Sequence, residues 1–164
     1  MQVFRIVLIL AVAFGVSACG SKFRTYNGPE VTRVVVEKGA RQMYLLHHDR
    51  VLKAYDVELG FAPDGHKQFE GDGKTPEGDY TIDRRNPNSR FHLSIGVSYP
   101  NEDDIAFAKA QGKSPGGDIF IHGRGRYPGA NRDDWTWGCI AVTNREMEDI
   151  YAMVRNGTPI SIRP

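Results

Sequence analysis

Cysteine is nearly absent from this 164-residue chain, which holds only Cys19 and Cys139. That scarcity excludes a disulfide framework and the clustered thiolates of structural zinc sites. An excess of either charge is also lacking. The 21 Lys and Arg nearly balance the 20 Asp and Glu, so there is no electrostatic case for nucleic acid or for an anionic membrane surface. The longest apolar run, Ile6 to Val16, is too short for a comfortable transmembrane helix. Neither repeats nor low-complexity tracts interrupt the remainder. The length fits one domain with a true core.

What is present begins with a secretory signal over residues 1–18, with Arg5, no acid and the short apolar run. It ends in Val16-Ser17-Ala18-Cys19, which resembles the lipobox of bacterial lipoproteins. That resemblance implies lipidation of Cys19 as the mature N-terminus, with residues 19–30 as a tether and residues 31–164 as the folded domain. Gly20 and Ser21, with no Asp at the second mature position, resemble outer-membrane sorting, on the periplasmic side of a Gram-negative envelope. Cys139 would then have no disulfide partner in an oxidising compartment. A lone thiol there is expected to be buried or used.

The stretch Asp118 to Asn144, DIFIHGRGRYPGANRDDWTWGCIAVTN, carries the chemistry. His122 closes a short apolar run and Cys139 follows seventeen residues later. An imidazole that deprotonates or ion-pairs a thiol makes the nucleophile that attacks an acyl carbon. The segment between them is polar and Gly-rich, and reads as a hairpin-like excursion that returns Cys139 to His122. Gly138, directly before the cysteine, permits close approach of substrate and backbone, and nearby N–H groups suit an oxyanion hole.

Taken in order, residues 31–38 and 41–48 read as a strand pair around Gly39-Ala40, and residues 50–60 as a third strand after a turn at Asp49-Arg50. Residues 61–79 form a long Gly- and Pro-rich loop of the kind that carries function. Its GDGKT is no phosphate loop, because Gln68 stands where that motif needs a glycine. Strands are expected over 78–85 and 91–100, the latter bringing His92, Ser94 and Tyr99 towards a cleft. A helix capped by Asn101 runs to Gly112, and a second starts at the Thr143…Glu146 capping box. TPISIRP is expected to add a final edge strand. About eight short strands and two short α-helices give a mainly β domain, a sandwich or open barrel. His47 and His48 are adjacent in a strand and so face apart, which argues against a metal. His66 is expected to be a solvated loop side chain.

With these residues on the page, Val31 to Pro164 resembles the YkuD-type L,D-transpeptidase catalytic domain. The pieces occur in the family's order: GDGKTPEGDYTI, SIGVSYPN, IHG, and TWGCIAVTN at the spacing of its His…[Ser/Thr]-x-Gly-Cys signature. The resemblance implies a mainly β fold, Cys139 as nucleophile and His122 as base. It further implies a Gly123 carbonyl orienting the imidazole, as a carboxylate does in other triads, and oxyanion binding by the Gly138 and Cys139 N–H groups. Thr136 fits the Ser/Thr position, in support of the loop or as a cap, and with Trp137 and Arg124 is a candidate for substrate contact. The implied substrate is a peptidoglycan stem tetrapeptide of the diaminopimelate type, processed without metal or organic cofactor.

Two positions depart from the pattern. Ala141 stands where many members have Arg, leaving Arg124, Arg126 or Arg132 as candidates for carboxylate recognition. Trp137 stands where many have His, and with Trp135 it would make an apolar wall. Tyr99 is a further candidate for contact with substrate. Papain-like enzymes place Cys before His, and sortases separate the two far more widely. The remaining alternatives are a hydrolytic L,D-carboxypeptidase or amidase using the same thiol, and a non-catalytic peptidoglycan-binding lipoprotein. Oligomeric state has no signature in the sequence.

Overall fold

The computed structural model describes residues 21–130 and 133–164. Cys19, the signal over 1–18 and Arg132 lie outside them. Eight strands and two helices are present among the described residues. They are β1 (Arg33–Glu37), β2 (Gln42–His47), β3 (Arg50–Asp56), β4 (Gly78–Asn86), β5 (Ser94–Val97), α1 (Glu102–Ala110), β6 (Phe120–His122), β7 (Ile140–Ala141), α2 (Asn144–Met153) and β8 (Pro159–Arg163). The strands form one curled sheet in the order β3-β2-β1-β8-β4-β5-β6-β7. The expected sandwich or open barrel thus takes the open, half-barrel form.

Local chemistry sets the elements. The β2–β3 hairpin turns on His48 and Asp49, one residue earlier than expected, with His48 at φ 52° and His47 paired to Arg50. Both helices start on reciprocal caps. Asn101 accepts from the Asp104 amide and Asp104 accepts from the Asn101 amide, and Thr143 and Glu146 repeat the arrangement. In α2, Met147, Ile150 and Met153 recur at helical spacing and are buried against the sheet. Tyr151 is only partly buried.

Two strand placements differ from the sequence reading. Strand β8 is interior, parallel to β1 (Val34 opposite Ile160) and antiparallel to β4 (Tyr80 opposite Ile160), whereas an edge position was expected. Pro159 is tolerated because it is the first residue of the strand, and Ile160, Ser161 and Ile162 are all buried. The segment between His122 and Cys139 is no hairpin either. Strands β6 and β7 run parallel, Ile121 opposite Ile140 and His122 opposite Ala141. A parallel return needs a crossover of about a dozen residues or more, which this segment supplies.

Residues 21–30, expected as a tether, lie against the domain. The Lys22 ammonium donates to the carbonyls of Pro87 and His92, at 2.6 and 3.1 Å. Arg24 pairs with Glu148 and Asp149 of α2. His66 is not a free loop side chain: its Nδ1 accepts from the Glu77 amide at 2.9 Å and its Nε2 lies 3.0 Å from Asp104. His47 Nδ1 meets the Glu30 carbonyl, and the described residues include no cluster of metal-ligating side chains.

The long loop before β4 is fixed from beneath by a buried cation. Lys38 Nζ donates to the carbonyls of Gly65 and Thr75 and pairs with Glu77 at 2.7 Å. Removing one partner of a buried pair leaves the other charge uncompensated. Lys38→Met is therefore expected to lower unfolding free energy by about 3 kcal/mol, measured by urea denaturation.

Candidate active site

The turn that presents Cys139 is built on backbone contact. Gly138 has φ 122°, and a Cβ there would lie 2.5 Å from the Lys74 carbonyl oxygen. A Cβ on Gly60 would lie 2.1 Å from the Gly73 carbonyl and 3.1 Å from the Gly138 Cα. Three chain segments thus meet where no side chain fits. Hydrogen bonds seal the junction. Phe61 donates to the Thr136 carbonyl at 2.9 Å, the Thr136 amide to Leu59 at 3.1 Å, and the Gly60 amide to Thr75 Oγ1 at 3.0 Å. The loop holding GDGKT, set aside as a phosphate site, is the floor of this turn.

Thr136 is buried and its hydroxyl serves the turn. Oγ1 donates to the Cys139 carbonyl at 2.7 Å and accepts from the Gly138 amide at 3.1 Å. Thr136 therefore braces the Cys139 turn, with no hydroxyl proton left for substrate. The same bond occupies the Gly138 N–H that the resemblance assigns to the oxyanion.

Strand register brings the two reactive groups together. Extending the β6–β7 pairing by one residue sets Cys139 beside Phe120, and period-two alternation puts it on the same face as His122. Both line a cavity of about 500 Å³, with Phe91, Tyr127, Trp135 and Thr136 in its walls. His122 is buried, its Nδ1 2.6 Å from the Gly123 carbonyl. A carbonyl only accepts, so Nδ1 carries the proton and Nε2 keeps its lone pair. Phe91 stacks on the imidazole at 4.4 Å between centroids, and Trp135 meets it edge-on at 5.7 Å.

Burial holds the His122 pKa below its ordinary value, against the opposing effect of the Gly123 carbonyl. Burial pushes the Cys139 thiol up to about 11, only partly countered by a hydrogen bond from the Phe120 backbone. The resting pair is therefore neutral imidazole and thiol. Cys139 Sγ donates to the Asp118 carbonyl at 3.5 Å.

Other expected contacts lie elsewhere. Tyr99 is buried in the core, its hydroxyl donating to the Pro115 carbonyl at 3.0 Å, and it does not line the cavity. His92 pairs with Glu148 at 2.9 Å, and Ser94 is buried opposite His122 in β5. Arg124 lies beside Ala141 in a separate cleft, paired with Glu58. Trp137 lines the cavity but is 70% exposed, resting edge-on against Phe61 at 4.9 Å. It extends the cavity rim and contributes little to core packing.

Sequence reasoning missed Glu58 and Asp134. The Glu58 carboxylate accepts from Trp135 Nε1 and pairs with Arg124, and so holds both ends of the crossover. Asp134 pairs with Arg41 at 2.6 Å and accepts from the Leu59 amide at 2.9 Å. Their partners are far away in the chain, and no local spacing announces them.

Gly138→Ala is expected to lose about 2 kcal/mol of stability through the strained φ and the clash with Lys74, measured by denaturant unfolding. A second expectation concerns pH. Because folding lowers the His122 pKa, the unfolded chain binds the extra proton as pH falls through the ordinary value of 6.5, and stability falls with it. The stability difference between pH 7.5 and 5.5 should shrink in His122→Gln; an undiminished difference in that variant would refute the assignment.

Comparison with known proteins agrees with this architecture. Residues 31–162 match the YkuD model, described as an L,D-transpeptidase catalytic domain. Two relatives carry L,D-transpeptidase in their names. YafK of Escherichia coli strain K12 is 35% identical over 92 residues, covering 55% of this chain and 32% of its own length. YkuD of Bacillus licheniformis is 28% identical over 132 residues, covering 80% and 66%. Among solved structures, the helical cell shape determining protein Pgp2 of Campylobacter jejuni superposes with TM-score 0.64 at 27% identity, over 88% of this chain and 51% of that one. Mycobacterium tuberculosis L,D-transpeptidase 1 shares the fold, with TM-score 0.53 at 14% identity over 82% and 62%. The chain spans about a third of YafK and about half of Pgp2. On the match across residues 31–162, the chain belongs to the YkuD family of L,D-transpeptidase catalytic domains.

Proposed function

We propose that this protein is a cysteine-dependent L,D-transpeptidase acting on peptidoglycan stem tetrapeptides of the diaminopimelate type. The observation that carries the reading is the shared cavity. It holds one thiol and one buried imidazole whose Nδ1 is fixed on the Gly123 carbonyl, leaving Nε2 as a base. As Sγ attacks the carbonyl of the third stem residue, Nε2 takes the thiol proton. The Cys139 N–H is assigned to the developing oxyanion by the family resemblance, the Gly138 N–H being held by Thr136. The C–N bond breaks, Nε2 returns its proton to the departing D-Ala amine, and a thioester remains. An acceptor amine then attacks that thioester, Nε2 takes its proton, and the thiol is regenerated as the new amide forms. Water in place of the amine gives the hydrolytic alternative.

The same reading places the protein on the periplasmic side of the outer membrane, anchored through a lipidated Cys19 and acting in cell-wall cross-linking or remodelling. The case for a non-catalytic binder is the raised thiol pKa and the turn of Sγ towards Asp118.

With a tetrapeptide donor, Cys139→Ala is expected to abolish turnover while keeping the wild-type unfolding transition. His122→Ala should lower kcat by about 10²–10⁴-fold. Full turnover in the Cys139 variant would refute the thiol mechanism, and a folded but inactive wild type would favour the binder. Mass analysis of products then assigns the second step: a 3-3 cross-linked dimer means transfer, and tripeptide alone means hydrolysis.

A further inference from the structure

We propose that Arg90 and Arg126 together form a carboxylate-binding wall of the Cys139 cavity. The proposal rests on the stem-peptide reading above for the identity of the natural ligand. Its physical basis is separate.

Both residues line the cavity that holds Cys139 and His122. Both also line a neighbouring cleft of about 450 Å³ that contains Lys22, His92 and Asn144. Among the described residues no Asp or Glu lines either space; Glu148 stands behind His92 and Glu58 behind Trp135, each already engaged. No hydrogen bond or ion pair engages the Arg90 or Arg126 guanidinium among the described residues. Arg124, two positions away, is instead committed to Glu58. Two unpaired planar donors beside the nucleophile, in a space without competing carboxylates, suit bidentate capture of an anion.

The backbone explains why the pair is adjacent. Gly125 has φ 59°, and a Cβ there would lie 2.5 Å from the Arg90 carbonyl oxygen and 2.9 Å from the Phe91 Cα. The chain at Gly125 therefore rests directly on Arg90–Phe91. Asn144 clamps it, its Oδ1 accepting from the Gly125 amide at 2.8 Å and its Nδ2 donating to the Gly125 carbonyl at 3.3 Å. This seating sends Arg124 to Glu58 on one side and Arg126 to the cavity on the other. Ala141 supplies no cation here; of the expected substitutes Arg124 is committed to Glu58, Arg126 lines the cavity and Arg132 lies outside the described residues, and Arg90 joins from a different segment.

The test needs no turnover. Full-length protein is alkylated in parallel with iodoacetate and iodoacetamide, and the rate at Cys139 is read by mass mapping of its peptide. In both reactions the Sγ–C bond forms as C–I breaks and iodide departs with loss of the thiol proton, so a change in thiol reactivity cancels in the ratio. The ratio of iodoacetate to iodoacetamide is expected to exceed that for free cysteine and to fall about tenfold in the Arg90→Gln, Arg126→Gln double variant. The Arg33→Gln, Arg50→Gln double variant removes the same two charges at exposed arginines away from the cavity, without ion pairs among the described residues, and controls for net charge. An unchanged ratio in the Arg90, Arg126 double variant, or an equal fall in the Arg33, Arg50 control, overturns the proposal. With tetrapeptide, the double variant should raise KM more than it lowers kcat. Failure of the transpeptidase reading would appear as wild-type-like turnover in Cys139→Ala, while the alkylation ratio still reports on the arginines.

Discussion

The meeting of Gly60, Gly73, Lys74 and Gly138, backbone against backbone, is the constraint on which the site depends. A Cβ at Gly60 or Gly138 would enter space held by a carbonyl, so this junction admits only glycine without a rearrangement. Its consequence is mechanical. The Cys139 turn lies on a loop that Lys38 fixes from below, and Thr136 ties the turn to itself from within. Cys139 thus has a defined position although it sits where a loop enters a two-residue strand.

Around that turn the electrostatics favour neutrality. Burial raises the thiol pKa and lowers the imidazole pKa, which keeps an ion pair from forming at rest. Such a site suits a nucleophile that is activated by the arriving carbonyl, with Nε2 already freed as the acceptor. The aromatic walls from Phe91 and Trp135 restrict the imidazole to the ring plane set by the Gly123 carbonyl.

Much of this was legible in the sequence where the signal was local. Strand alternation pointed to about eight strands, those assigned limits falling within a few residues of the observed ones, and the Asn101 cap and the Thr143…Glu146 spacing located both helix starts. The cavity pair, His122 and Cys139, could be named before any coordinates. What was illegible depends on distant pairing. The sequence of β8 reads equally well at an edge or an interior position, because Ile-Ser-Ile buries one face in either case; only its pairing with β1 and β4 decides. The crossover's parallel return, the Glu58 link to Trp135 and Arg124, and the seating of Gly125 on Arg90 are likewise contacts between segments with no shared spacing. Tyr99 was misplaced for the same reason: the strand expected to contain it ends at Val97, and its hydroxyl turns into the core.

The interior place of β8 also governs the order in which the sheet can be assembled. Strands β1, β2 and β3 form a meander of near neighbours in the chain, and β4 and β5 form another pair, yet the two groups share no ladder except through β8. Val34 meets Ile160 across more than a hundred residues, so this closure carries a large loop entropy. Until it happens the β1 and β4 edges are open, available for pairing with other chains. The native sheet is therefore two groups of strands that only β8 joins, so loss of that one strand's pairing would leave two open edges and no single domain.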